Sequence, residues 1–232
     1  MVNYLTNFFL EQKIKNVHFF QNSLKKTHFN RKDIINLYIK KKEIIEFPTP
    51  DDLYFIKYGS IKESVIDWSG NIKTIRILTQ NDVLFYSDII QNNSSVYFLQ
   101  ALNDIEIDKI PLTKLAKDNS HYSNFLSFNY QLNSQIYFSK WFYSSNRGEK
   151  RVYEAFLEIL LSLATEDIEV NSSESFLLPA YITHELISEL SGVSRSYVTR
   201  IIEKLKEKKI LSYVDNSIEI LNINYFFKQL LF

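Results

Sequence analysis

The stretch Thr183 to Leu205, THELISELSGVSRSYVTRIIEKL, reads as two short helices joined by a tight turn, a helix-turn-helix. Thr183 suits the N-cap of the first helix, because its hydroxyl can accept from an otherwise unpartnered backbone N–H, and Leu186, Ile187 and Leu190 then recur at helical spacing. Ser188 is small where the second helix must cross closely. Gly192 gives the turn its backbone freedom, Val193 is an apolar plug, and Ser194 is the next N-cap. In the second helix Val198, Ile201, Ile202 and Leu205 fall on one face, predicted to be core. Arg195, Ser196, Tyr197, Thr199 and Arg200 fall on or near the other, predicted to meet a partner. A guanidinium suits that partner if it is DNA, because its planar fork pairs bidentately with guanine or phosphate.

A polar helix face is usually just solvated, and the residues C-terminal to this one decide for DNA. Lys204, Lys206, Lys208 and Lys209 extend the basic run, and ILSYVDNSIEI, residues 210–220, alternates apolar and polar residues around Asp215-Asn216, a hairpin signal. Helix-turn-helix plus hairpin is a winged helix. Upstream, Arg151 to Thr165 predicts an amphipathic helix through Val152, Phe156, Ile159, Leu160 and Leu163. Glu166 to Ser175 reads as a polar loop, and Phe176 to Ile182 as the approach to Thr183.

Composition bounds the alternatives. The 27 Lys and Arg balance 27 Asp and Glu, so DNA binding has to come from local asymmetry, such as the run after Ser194. With no cysteine, disulfides, thiolate metal sites and cysteine-ligated iron–sulfur clusters are excluded. No apolar run approaches the roughly 20 residues of a membrane span, and MVNYLTNFFLEQK lacks the pattern of a secretion signal, so a cytoplasmic protein is expected.

Residues 1 to about 36 read as helical, with Leu5, Phe8, Phe9, Ile34, Ile35 and Leu37 spaced for a buried stripe and Lys13, Lys15, Lys25, Lys26 and Lys32 as a solvated face. From about Ile39 to Leu115 short apolar and aromatic runs are broken by Pro, Gly, Asn and Asp, predicting a small antiparallel barrel or jelly roll. Gly59, inside a strand-like run, marks a bulge or a close backbone approach, and Ser69-Gly70-Asn71 a hairpin. Beyond Pro111, Tyr122, Phe125, Asn129, Leu132, Ile136, Ser139 and Tyr143 are spaced alternately three and four apart, the seam of a coiled coil and hence of a homodimer. Phe128, Phe138, Trp141 and Phe142 supply a second apolar face, suited to a helix that also lies on the strand domain. The predicted fold is α+β: an N-terminal antiparallel β-roll with leading helices over residues 1–117, a long dimerisation helix over 118–145, and a winged helix-turn-helix domain over 146–232.

This order of parts resembles the cAMP receptor protein and fumarate-nitrate regulator (CRP/FNR) family of bacterial transcription factors from about Ile39 to Ile220. LYFIKYGSIKESVID is similar to the family's strand run with Gly59-Ser60 at its turn, LTQNDV to the entry of its ligand cassette, and SGVSRSYVTRIIEKLKEKKIL to its recognition helix. Family members commonly read Ser-Arg-Glu-Thr-Val-x-Arg there, so Arg195 and Arg200 match the DNA-reading arginines, while Ser196 stands where a glutamate is usual. A serine accepts from cytosine N4 only weakly, so the half-site should differ from the family's commonest one. The resemblance implies a homodimeric, sequence-specific regulator of double-stranded DNA, an activator with RNA polymerase as a further partner. It implies base contacts from Arg195 and Arg200, and the outer face of the same helix assigns phosphate or thymine-methyl contacts to Ser194, Ser196 and Tyr197, support to Thr199 and added charge to Lys204.

The cassette departs from the family. Cyclic-nucleotide binders need a Gly-Glu pair for the ribose and an Arg-Ser pair for the phosphate, whereas Phe85 and Tyr86 stand near the first of these and no Lys or Arg occurs between Arg76 and Lys109. A buried phosphate needs a cation or a helix N-terminus, so no cyclic nucleotide is expected. No cofactor is expected either, and what remains is an unknown effector in an aromatic-lined roll or a regulator set by abundance alone. A cupin-type enzyme would need histidines converging on a metal, and residues 39–110 contain none. His18 and His28 lack a second ligand pair, and Ser94, Ser95, His121 and His184 are too scattered for a nucleophile and base, so no metal or catalytic site is expected. The competing class is a protein-interaction module built on the roll and the seam helix, which leaves the outer face of the recognition helix unexplained.

Overall fold

The computed structural model describes residues 34–45, 52–66, 69–85, 96–111, 148–163 and 175–230. They form two compact units, one of strands within residues 34–71 and 77–111, and one mainly helical over 148–230 that also takes in residues 72–76. The dimer seam, from Tyr122 to Tyr143, lies outside the described residues, as do Tyr86, Ser94, Ser95, His18, His28 and His121.

Among the described residues of the strand region, eight strands form two four-stranded sheets. Strands β1 (Ile35–Ile39), β8 (Ile105–Pro111), β3 (Asp52–Tyr58) and β6 (Val83–Phe85) make one, in that order. Strands β2 (Ile44–Ile45), β7 (Val96–Ala101), β4 (Ile61–Ile66) and β5 (Ile72–Leu78) make the other. Tyr54, Ile56, Ile61, Leu78, Leu84, Leu99, Ile105 and Ile107 form the buried core of this roll, and Leu37 and Ile39 pack against it. Because strand side chains alternate, Asn36 and Tyr38 point outward, where Asn36 donates to Glu106 and Asp108.

The helical stripe expected to run through Ile34, Ile35 and Leu37 is corrected here. Residues 35–39 are extended and pair with β8 from Ile35↔Lys109 to Ile39↔Ile105, leaving Ile35 51% exposed. The apolar spacing fits both periods, and pairing with a strand seventy residues away decides between them. The run LYFIKYGSIKESVID is likewise two strands in different sheets. Gly59 (φ 91°) is the corner between them, not a mid-strand residue, and the bulge of this region falls between Ile56 and Tyr58. The close approach expected of Gly59 is present, since a Cβ there would lie 2.4 Å from Ile105 Cγ2 and 2.5 Å from the Asp104 carbonyl oxygen.

The β-roll buries charge. Lys62, Glu63 and Arg76 are all under a tenth exposed on β4 and β5. The lack of Lys and Arg between residues 76 and 109 therefore does not make this unit free of buried cations.

In the second unit α1 (Glu149–Leu163) buries Val152, Phe156, Ile159 and Leu160, four of the five residues its periodicity marks. Short strand β9 (Phe176–Leu177) leads to α2 (His184–Ser191) and α3 (Arg195–Glu207), and the hairpin β10 (Leu211–Val214) and β11 (Ser217–Ile220) comes next. Asp215 (φ 48°) and Asn216 (φ 66°) turn that hairpin with two left-handed residues, the geometry that follows the twist of paired strands. Two elements carry no clear local signal in the sequence: β9, which joins β11 through Glu219↔Leu177 and Ile220↔Phe176, and a closing helix α4 (Ile223–Leu230). Phe226 of α4 is fully buried, its ring centroid 5.0 Å from that of Phe156.

Gly59→Ala should destabilise the strand unit by about 2 kcal/mol or more, because it combines positive-φ strain with a backbone clash. Gly70→Ala, where φ is 80° but nothing lies within 4 Å of the new methyl, should lose only about 1 kcal/mol. Denaturant unfolding of the two variants checks the ranking, and equal losses would contradict it.

Candidate nucleic-acid interface

The turn between α2 and α3 is built by local hydrogen bonds. Thr183 Oγ1 accepts from the Leu186 N–H at 3.2 Å, which caps α2. At the other end Gly192 adopts the left-handed conformation (φ 65°), and its N–H donates to the Ser188 carbonyl at 2.8 Å. Ser188 does more than stay small: its hydroxyl donates to the Val193 carbonyl at 2.6 Å and so closes the turn. Ser194 caps α3 by accepting from the Tyr197 N–H at 3.3 Å.

That geometry fixes the rotation of α3. Val198, Ile201, Ile202 and Leu205 are buried against the unit, and Ser194, Arg195, Ser196 and Arg200 are exposed on its first two turns. Leu190, expected on the buried stripe of α2, is only partly covered. Arg195 is 69% exposed at the side chain, with its Nε 3.7 Å from Glu185, a solvated pair of little energetic weight. Arg200 stacks its guanidinium carbon 4.6 Å from the centroid of the Tyr197 ring.

The remaining predicted residues separate into two flanks. Tyr197 is partly buried toward the start of α1, where a Cβ on Gly148 would come within 2.7 Å of its hydroxyl oxygen. Lys204 is on the same flank, 3.8 Å from Glu149, whose carboxylate also accepts from the Tyr153 hydroxyl. Burial and then that carboxylate hold the Tyr153 hydroxyl far above its ordinary pKa. Thr199 is on the opposite flank, facing the wing. Lys206 is drawn to Glu203 at 3.0 Å and lies over the Tyr213 ring at 5.1 Å. The wing hairpin itself, residues 210–221, contains Asp215 and Glu219 and no Lys or Arg.

His184, scattered from any partner in sequence, joins three elements. Its Nδ1 lies 2.9 Å from Thr199 Oγ1 on α3, and its Nε2 lies 2.6 Å from the Tyr213 hydroxyl on β10. Thr199 donates its own hydroxyl hydrogen to the Arg195 carbonyl at 3.1 Å. Thr199 therefore accepts from His184 Nδ1–H, and the unprotonated Nε2 accepts from Tyr213. The neutral ring is matched to its site: burial first, then the Arg195 charge, push its pKa below the ordinary value, and Lys206 adds to this while Glu203 opposes it. No signal in the sequence pairs His184 with residues 15 and 29 positions away.

Among the described residues no group of His, Cys, Asp and Glu is arranged to hold a metal ion, and no helix is long and apolar enough to cross a membrane. Helices α1 to α3 with a three-stranded antiparallel wing, the capped α3 turning arginines outward, define a winged helix-turn-helix, a DNA-binding class. Residues 150–226 match the Crp-like helix-turn-helix domain. The chain is 24% identical over 165 residues to the global nitrogen regulator of Nostoc sp. (strain PCC 7120), covering 69% of this chain and 72% of that protein. Its fold is that of FixK2 from Bradyrhizobium japonicum (TM-score 0.68, 15% identity, 84% of this chain and 96% of that one). It is equally that of a CRP/FNR-family transcriptional regulator from Thermus thermophilus (TM-score 0.63, 20% identity, 85% and 99%). Residues 150–226 are a Crp-like helix-turn-helix domain, and the chain shares the fold of CRP/FNR-family regulators.

The depressed pKa of His184 fixes the sign of a pH effect. Above about pH 6.5, the ordinary histidine value, the ring is neutral in folded and unfolded chains alike and its contribution is intact. As pH falls through that value the unfolded chain takes up the proton first, so stability is lost until the lower folded pKa is reached. Thermal melts at about pH 7.5 and 5.5, on either side of the ordinary value, should therefore show a smaller acid-induced drop for His184→Gln than for the parent protein. An equal drop would rule out this histidine as a source.

Proposed function

We propose that this regulator binds a specific duplex DNA site as a homodimer, without cyclic nucleotide, and that Arg195 and Arg200 read base edges. The observation that carries this is the pairing of faces on α3: Val198, Ile201, Ile202 and Leu205 buried, Arg195 and Arg200 exposed near the capped N-terminal end. That end enters the major groove in this motif, and a guanidinium pairs bidentately with guanine O6 and N7. Ser194 and Ser196 are in reach of phosphate, Thr199 supports Arg195 through its carbonyl, and Lys204 with Lys206 and Lys208 adds charge. Because the wing hairpin has no cation, α3 with its basic end carries most of the electrostatic attraction.

In this reading the chain has the three parts expected from its sequence: a roll over 1–117, a dimerisation helix over 118–145 and a winged helix over 146–232. It acts in the cytoplasm as an activator that engages RNA polymerase, and it carries out no catalysis. Phe85 and Tyr86, in place of a ribose-binding Gly-Glu pair, support independence from cyclic nucleotide.

The test is selection of bound DNA from a random pool, followed by titration of variants on the selected site. Arg195→Ala or Arg200→Ala should each lose about 1 to 3 kcal/mol and relax preference at one base pair. Lys206→Ala should weaken cognate and random DNA alike and lower the salt slope by about one. If both arginine variants keep full discrimination, these residues do not read bases, and the protein-interaction reading takes first place.

Dimerisation through Tyr122, Phe125, Asn129, Leu132, Ile136 and Tyr143 would set two recognition helices about 34 Å apart, one turn of DNA. Leu132→Glu combined with Ile136→Lys should give a monomer by sedimentation equilibrium and abolish tight binding to the full palindrome. A variant that sediments as a dimer would disprove the seam.

A further inference from the structure

We infer that Tyr197 is a positioning residue for specificity, a ring platform that holds the Arg200 guanidinium ready for its base while making no DNA contact of its own. The inference rests on the reading of Arg200 as a base reader, and it replaces the direct phosphate or thymine-methyl contact expected for Tyr197.

Three observations carry it. First, Arg200 lies over the Tyr197 ring, 4.6 Å from its centroid, three residues along the same helix and so on the adjoining turn. A guanidinium held over a ring leaves N–H groups of its fork free for a base, whereas an ion pair would occupy that fork. Second, Arg195, Lys204 and Lys206 each have a carboxylate within 4 Å, from Glu185, Glu149 and Glu203. Among the described residues no carboxylate lies within ion-pair distance of Arg200, so the ring is what restrains it.

Third, the platform is itself fixed. The Tyr197 hydroxyl abuts Gly148 so closely that a Cβ there would sit 2.7 Å from the oxygen and 3.6 Å from Cζ. Gly148 also has φ 63°, a conformation that favours glycine, so space and backbone both demand the residue found there. The ring thus has its tip against the start of α1 and the Arg200 guanidinium over its face. Its orientation along the flank of α3 turns the hydroxyl toward the protein.

The experiment measures binding to the selected site and to its two variants, altered at the base pair read by Arg195 or at that read by Arg200. Tyr197→Phe keeps the ring and should keep full discrimination at both. Tyr197→Leu should lower discrimination at the Arg200 base pair by about three- to tenfold, the range of a partly solvated cation–π contact, and leave the Arg195 base pair unchanged. In an Arg200→Ala background Tyr197→Leu should have no further effect. The unchanged Arg195 position serves as the internal control for folding.

A Tyr197→Leu effect that persists undiminished in the Arg200→Ala background would show direct DNA contact and overturn the inference. So would equal losses at both base pairs, or a Tyr197→Phe loss as large as that of Tyr197→Leu. If Arg200→Ala alone leaves discrimination intact, it is the base-reading role of Arg200 that fails, and the inference falls with it.

Discussion

Everything the recognition helix can do depends on burying one stripe of it. Val198, Ile201, Ile202 and Leu205 are each no more than 1% exposed, and a stripe that complete leaves α3 a single rotation about its axis. Burying four such side chains is worth on the order of 6 to 12 kcal/mol, before conformational entropy is set against it. No solvated ion pair on the outer face competes with that. The hydrogen-bonded turn at Gly192 and the caps at Thr183 and Ser194 then fix where the helix starts. The direction of Arg195, Ser196 and Arg200 is a consequence of these apolar and backbone constraints.

The two flanks of α3 extend the same logic. On one side Tyr197 and Lys204 meet the start of α1, and on the other Thr199 meets His184 and through it the wing. The outward ridge is therefore bordered by residues whose polar atoms are directed back into the unit. This narrows the candidate reading surface to a few side chains near the capped end. The arrangement suits a domain in which a few contacts specify and the remainder hold them still.

Sequence made the helix-turn-helix legible because its determinants are local. A glycine two residues before a serine N-cap, with apolar residues three and four apart on each side, needs no distant partner to be read. The Asp215-Asn216 hairpin and the run IKTIRIL, which is β5 without adjustment, are legible for the same reason. What sequence does not reveal depends on remote pairing. Ile35–Ile39 is a strand only because β8 is there to bind it, and two-residue β9 exists only as an edge of the wing. His184 gains its role from Thr199 and Tyr213, neither a neighbour in sequence. The Tyr197–Arg200 stack does lie at helical spacing, but spacing alone does not distinguish a stacked pair from two residues with separate roles.

The wing without cations bears on how such a regulator searches a chromosome. Most of the time spent on non-cognate DNA is electrostatic, since every lysine or arginine near a phosphate displaces a counterion and slows departure. If the domain binds DNA through α3 as proposed, a hairpin whose charged residues are Asp215 and Glu219, in a chain with as many acids as bases, would shorten each of those stays. Fewer copies would then be sequestered on bulk DNA, and occupancy of the right site would track the free concentration of the protein closely. A change in its synthesis or removal is passed to the promoter with little buffering by the genome.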